Sequence, residues 1–338
     1  MIPRTLAIIF TYKCNFFCKH CSMRASPSDS TVIDLSLFKK AVDDAEEIPS
    51  IYTIAISGGE PTLFLNRLLQ AVRYAYDKGF NVRVVTNAWW ASTIEQSRKL
   101  VSMLKNAGLN ELNVSYDDFH KPWLEKYGGE RNIVNAVRAA IEEGLRVAIA
   151  VVRYSENDII NRSYIINLLK KNNIISENIT IIEDYVYRFG RGVSIEPDID
   201  KKQYNKQILR LKMPCNEIGT TLAIHPDGTV MACCGHIIRD KAARIVTIGN
   251  LTREPLLDII KRMWRNPFYW WLSIKGPYAV LDELLKVDVE SLIKKYRIYS
   301  RCELCRLIGT KYEKQVINIF SEKLEDIVKV LNIAKLKT

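Results

Sequence analysis

Three cysteines occupy one short stretch near the start of the chain, Cys14, Cys18 and Cys21, in the spacing C-x3-C-x2-C. Three thiolates on a single loop can hold three irons of a four-iron, four-sulfur cluster. Such clusters normally take four cysteines, so a triplet leaves one iron open for another ligand. An open iron points to catalysis rather than to electron carriage. Zinc is the competing chemistry, but zinc sites usually draw four ligands with C-x2-C pairs, and the triplet fits them poorly. A second signature, the turn Gly58-Gly59-Glu60-Pro61, directly follows the apolar run 51–57.

These residues need elements to position them. Between residues 5 and 185, short stretches rich in Val and Ile alternate with amphipathic ones. Strands are expected at 5–11, 51–57, 80–86, 110–116, 145–153 and 178–183. Their nearly continuous apolar character suits parallel strands buried on both faces. Helices are expected at 34–48, 64–78, 92–107, 131–143 and 159–172. Asp34 is placed to cap the first. Ser92 with Glu95 reads as a capping box for the third, and Gly79, Gly108 and Gly144 read as helix stops. Six strands separated by five helices indicate parallel βα repeats, whose chemistry collects at the C-terminal strand ends. Those ends carry the cysteine loop, the Gly-Gly-Glu-Pro turn, Thr86-Asn87, Ser115 to His120, Arg153, and Glu183 to Tyr185. Asp117, Asp118 and His120 form the densest polar group. Their chemistry is substrate binding or proton transfer near the reacting centre, against the alternative of a solvated surface loop. Trp89-Trp90 suits packing under a loop better than walling the site.

The triplet, with the aromatic His20 just before its last cysteine, and the Gly58–Pro61 turn together resemble the radical S-adenosylmethionine (radical SAM) superfamily. The resemblance implies a partial barrel of six βα units. It also implies that SAM chelates the open iron through its amine and carboxylate. The backbone of Gly58, Gly59 and Pro61, with Glu60, would meet the SAM amino group, and His20 would lie beside the adenine. Thr86, Asn87, Ser115 and Arg153 become candidates for the SAM carboxylate or ribose. A ferredoxin- or flavodoxin-type donor would supply the electron that cleaves SAM. The resulting 5′-deoxyadenosyl radical takes a hydrogen atom from the substrate.

The remaining cysteines are Cys215, Cys233, Cys234, Cys302 and Cys305. A hairpin with a turn at Pro226-Asp227-Gly228 separates Cys215 from Cys233. A helix is expected near 252–263, and Cys302-Glu303-Leu304-Cys305 supplies a C-x2-C pair. This order resembles the auxiliary-cluster extensions called SPASM and twitch, without the later cysteines of a full SPASM domain. The resemblance implies one auxiliary four-iron, four-sulfur cluster on Cys215, Cys233, Cys302 and Cys305, with Cys234 a substitute for Cys233. A four-cysteine zinc site is the alternative. If spare, Cys234 could donate a hydrogen atom to a substrate radical, as in some peptide epimerases of the superfamily. The expected fold class is therefore α/β: a partial (β/α)6 TIM-like barrel over 1–190 and a small α+β iron–sulfur extension over 191–338. Segment 311–338 is expected to be a Lys-rich amphipathic helix.

Composition narrows the function classes. Apolar residues make up 48% of the 338, ample for a buried core. No apolar run approaches the ~20 residues needed to cross a bilayer, and no signal peptide is legible. Eight cysteines in such a chain suggest metal ligation in a reducing cytoplasm. The net charge of +11 comes from 49 Lys and Arg against 38 Asp and Glu. It is scattered in pairs such as Lys39-Lys40, which argues against a nucleic-acid partner and suits a generally Lys-rich surface better than a site for an anionic substrate or an acidic electron donor. An auxiliary cluster favours net oxidation, and SPASM and twitch enzymes most often modify peptides or proteins. The first strand begins at residue 5, so binding of a leader would fall to a separate leader-binding protein or to segment 311–338, for which packing against the barrel is the expected use. Small-molecule biosynthesis is the alternative, with a non-catalytic iron–sulfur scaffold behind it.

Overall fold

A computed structural model describes residues 1–198, 201–233, 237 and 239–320, the side chains of 201–203 and 206–207 excepted. Six strands and their helices alternate through the first half: β1 (Thr5–Thr11), α1 (Leu35–Glu46), β2 (Thr53–Gly58), α2 (Leu65–Asp77), β3 (Asn81–Thr86), α3 (Ile94–Asn106), β4 (Glu111–Ser115), the short α4 (Lys121–Leu124), α5 (Glu130–Glu142), β5 (Arg146–Arg153), α6 (Arg162–Lys171) and β6 (Ile179–Tyr185). The β-branched strands are sealed inside: Ile8, Ile54, Ile56, Val82, Val84, Leu112, Val114 and Ile149 have no exposed surface. Each such side chain contributes about 1.5–3 kcal/mol on burial. The helices cover them through narrow apolar stripes, as with Phe38, Ala41, Val42 and Ala45 of α1.

Local signals end these elements as expected, with one difference. Asp34 caps α1 by accepting from the Ser36 amide, and Gly79, Gly108 and Gly144 all take positive φ. The α3 cap is Thr93, which accepts from the Gln96 amide, whereas the Ser92 hydroxyl turns to the Gln96 side chain. The helix therefore starts one residue later than the Ser92 pattern suggests.

The strand order is β6-β5-β4-β3-β2-β1 and continues into β7 (Thr221–Ile224), β8 (Thr229–Met231) and β9 (Thr247–Asn250). All pairings from β6 to β1 are parallel. β7 also runs parallel to β1, with Thr5 opposite Thr221 and Ile8 opposite Ile224. β8 and β9 then add antiparallel. The fold is thus an α/β parallel sheet of partial-barrel type with an α+β extension, and the extension's hairpin completes the edge of the barrel sheet.

The extension continues with helices α7 (Lys201–Leu211), α8 (Leu256–Arg265), α9 (Pro267–Ile274), α10 (Gly276–Ala279), α11 (Val289–Tyr296) and α12 (Arg301–Leu307). α8 takes the place of the helix expected near 252–263, beginning behind Pro255. Ser300 and Glu303 form a capping box on α12, the helix that carries Cys302 and Cys305. Arg188, just beyond β6, pairs with buried Glu303 at 2.7 Å and donates to the carbonyls of Tyr296 and Arg297. Of the expected helix 311–338, residues 313–320 are helical, and 321–338 lie outside the described residues. Among the described residues no helix is long and apolar enough to cross a membrane.

Candidate active site

The C-terminal ends of β1 to β5 surround a cavity of about 230 Å³. The cysteine loop closes one side with Cys14, Cys18, His20 and Cys21; Gly58, Gly59, Thr86, Asn87, Ser115, Asp117 and His120 line the rest. The loop is held against the glycine turn by main chain. Gly59 donates to the Thr11 carbonyl and Glu60 to the Lys13 carbonyl. The approach leaves no room for a side chain: a Cβ on Gly58 would sit 2.3 Å from the Thr11 oxygen, and one on Gly59 2.1 Å from the Lys13 oxygen. On the other side Gly190, at φ +57°, presses on the carbonyls of Cys21 and Ser22.

Glu60 does not reach the cavity. Its carboxylate is fully buried and accepts from the Thr62 amide and hydroxyl, the Thr86 hydroxyl and the Asn87 amide. Burial pushes its pKa up, against the pull of those hydrogen bonds. Glu60 therefore locks the ends of β2 and β3 together, and Pro61 starts the helical turn behind it. The turn faces the cavity through its glycines. Trp89 and Trp90 buttress the same knot, their indole N–H groups donating to the hydroxyls of Thr62 and Thr86. Asn87 places its amide 3.7 Å from the Cys14 sulfur and 3.0 Å from Asn15 Oδ1.

Asp117 is buried at the centre of the polar group. Its Oδ1 accepts from the amides of Phe119 and His120 and lies 2.8 Å from His120 Nδ1; its Oδ2 lies 3.9 Å from His20 Nε2. Burial alone would raise its pKa, but the charges of His120 and His20 and the hydrogen bonds outweigh it and hold the carboxyl at about 2. Asp118 turns away, its Oδ2 accepting from the Ile160 amide. Arg153 is also off the cavity: its guanidinium donates to the Ser155 carbonyl and pairs with Glu183 and Glu156. The competing acids, Glu183 of β6 and Glu156 of the loop after β5, capture it. Arg191 and Tyr187 do line the cavity, and neither was anticipated from sequence. Arg191 donates to the Cys18 carbonyl at 2.9 Å and stacks over Phe17. The flanking Gly190 and Gly192 were the available signal.

The residues fit the clusters their types imply. Cys14 is pushed up to about 12 by burial, with Glu60 and Cys21 adding to it; burial also raises Cys18. Such thiols bind metal by releasing protons. In the extension, burial raises Cys305 well above the ordinary thiol range, and the charges of Cys215, Cys302 and Cys233 add to it. Tetrahedral zinc with Zn–S of about 2.3 Å needs sulfurs about 3.8 Å apart. Among the described residues, the single set of three ligating side chains within 4.8 Å is His20, Asp117 and His120. The cysteine sets have the donor chemistry of an iron–sulfur cluster, with four-cysteine zinc the alternative in the extension. Cys234 lies outside the described residues. Tyr187 joins the two regions, because it lines the cavity and feels the charge of Cys302.

A three-cysteine loop at the mouth of a parallel α/β sheet, followed by a second cysteine set, defines an enzyme built around iron–sulfur chemistry. Residues 8–161 match the Radical SAM superfamily, and residues 215–306 match SPASM, an iron-sulfur cluster-binding domain. The chain belongs to the radical SAM superfamily and carries a C-terminal SPASM iron–sulfur domain. It is similar along 337 residues to YydG of Bacillus subtilis (strain 168), a protein named for peptide biosynthesis. That match has 22% identity and covers 96% of this chain and 97% of YydG. In structure it resembles anSMEcpe with bound AdoMet and Cp18Cys peptide, with TM-score 0.52, 13% identity and coverage of 99% and 100% of the two chains. BtrN in complex with AdoMet and 2-DOIA gives TM-score 0.50 at 12% identity, over 82% and 89%. At these identities the structural likeness speaks for the fold alone.

Proposed function

We propose that this radical SAM enzyme oxidatively modifies a peptide or protein. One observation carries the reading: the similarity to YydG runs the length of both chains, barrel and extension together. Bound to Cys14, Cys18 and Cys21, a four-iron, four-sulfur cluster with SAM supplies the 5′-deoxyadenosyl radical that abstracts hydrogen. The chain's own part is to hold SAM and substrate in contact. Gly58 and Gly59 would present main chain to the methionine end and Asn87 and Ser115 would meet its polar groups, whereas the Thr86 hydroxyl is taken up by Glu60, Ala88 and Trp90; His20 flanks the cavity on a stacked Phe119 ring at 4.6 Å. Arg191 puts a cation where a carboxylate can be met. Cys215, Cys233, Cys302 and Cys305 would hold an auxiliary cluster able to accept the electron left by abstraction. The expected partners are a ferredoxin- or flavodoxin-type donor and a separate leader-binding protein.

The test is anaerobic incubation of the reconstituted enzyme with SAM, dithionite and peptides translated from short reading frames beside its gene. 5′-Deoxyadenosine together with a peptide two mass units lighter is the expected outcome. 5′-Deoxyadenosine with unaltered peptide mass would reject oxidation.

A further inference from the structure

Asp117 and His120 form a pair whose geometry fixes where protons sit. The Asp117 carboxylate has no exposed surface, and its low pKa keeps it ionised, hence acceptor-only. His120 Nδ1, at 2.8 Å from Oδ1, therefore carries a hydrogen, and in the neutral ring Nε2 is the nitrogen left with the lone pair. The amides of Phe119 and His120 donate to the same oxygen, at 2.9 and 3.0 Å, and the Val152 amide donates to the other. These bonds fix the carboxylate in place. The His120 side chain is 14% exposed and borders the cavity. Among the described residues its Nε2 has no protein hydrogen-bond partner. A histidine oriented by a buried carboxylate at the wall of a reaction cavity, with its second nitrogen free of protein partners among the described residues, is the arrangement of a general base.

We propose that His120, oriented by Asp117, accepts the proton that the substrate loses during its oxidation. The inference rests on the oxidative reading given above. Hydrogen-atom abstraction leaves a carbon radical on the substrate. An adjacent O–H, N–H or C–H bond then breaks; its proton passes to His120 Nε2. One electron passes to the auxiliary iron–sulfur cluster, which is reduced by one unit. The two electrons remaining on the substrate form the new bond. Asp117 is the positioning residue, and Asp118, turned to the Ile160 amide, takes no part. The titratable groups against the ring are Asp117 from its own segment and His20 from the cysteine loop, its ring centroid 4.9 Å away; Cys14, Cys18, Cys21, Tyr187 and Arg191 line the same cavity.

Two readouts test this. The first needs no substrate: nitrogen-15 histidine NMR of the full chain with oxidised clusters. The chain has four histidines, and His120→Gln assigns the resonance by its disappearance. The expected tautomer is Nδ1–H, moving to Nε2–H in Asp117→Asn, because an amide there can donate to Nδ1. A wild-type Nε2–H tautomer overturns the proposal. The second readout is the yield of oxidised peptide per 5′-deoxyadenosine with the peptides named above. It should fall at least ~100-fold in His120→Gln, the scale of a lost general base, and the acid limb of the wild-type pH profile should vanish. An unchanged yield and pH profile would reject His120 while leaving the oxidative reading intact. A wild-type enzyme that gives no oxidised peptide rejects the oxidative reading itself.

Discussion

Glu60 carries a carboxylate that meets no solvent, and four donors depend on it. Glu60→Gln turns an amide N–H toward the Asn87 amide, replacing an acceptor with a donor. The expected cost is about 1–3 kcal/mol, the penalty of one unsatisfied buried group, with weaker SAM binding because Asn87 shifts. Thermal melting and calorimetric SAM titration of the variant measure both; an unchanged melting point together with unchanged affinity would refute the role. The residue scale also shows what sequence can reveal. Cys14, Cys18 and Cys21 are legible because their chemistry is local, set by spacing within one loop. Glu60 was legible as important but not in its manner of acting, since its partners Thr86 and Asn87 come from the next strand. Arg153 drew attention as a strand-end cation, but its salt-bridge partners depend on how the next strand and loop fold back. Arg191 reaches the cysteine loop from a segment some 170 positions further along the chain (Cys18 to Arg191), a closeness that no local pattern announces.

The elements were legible wherever apolar period and a breaking residue agreed. Each barrel strand falls within about two residues of its expected bounds, since Val- and Ile-rich runs between glycine stops admit few other readings. The hairpin at Pro226-Asp227-Gly228 was equally plain. Its docking against β1 was not, because edge pairing is a tertiary choice between surfaces of similar pattern. The tightest junction between elements is the glycine turn against the cysteine loop. Gly59→Ala must push the Lys13 carbonyl aside. The expected result is loss of the amide bonds from Gly59 and Glu60, with iron bound by the N-terminal triplet reduced by half or more. Iron assay of a variant that also lacks Cys302 and Cys305 isolates that triplet; full iron occupancy would show that the loop yields without harm. The mirrored change at Gly79, where a Cβ meets nothing within 4 Å, controls for glycine loss in general, although its positive φ adds some strain.

At the scale of the whole molecule, two measurements follow. The reconstituted chain should hold about eight irons, four for each cluster, and the Cys302→Ser, Cys305→Ser double variant about four. Four irons plus one zinc in the wild type would instead return the extension to zinc. The second measurement concerns protons. In the folded cluster-free chain burial makes Cys14 keep its proton up to about 12, against 9.0 for an ordinary thiol; the unfolded chain releases it earlier. The folded state then binds more protons than the unfolded one, so stability is full below pH 9 and declines as pH rises toward 12. Denaturant midpoints across that window should fall, and fall less steeply in Cys14→Ser. Cluster assembly runs the other way and is favoured by rising pH, because each thiol must ionise.

The pairing of β7 with β1 has a further consequence. Through that pairing the SPASM extension supplies a strand that the barrel sheet itself uses. Cutting the chain after residue 190 would strip away β7 and leave β1, the strand leading to Cys14, as a raw edge with unpaired backbone groups. Such edges invite pairing with other copies.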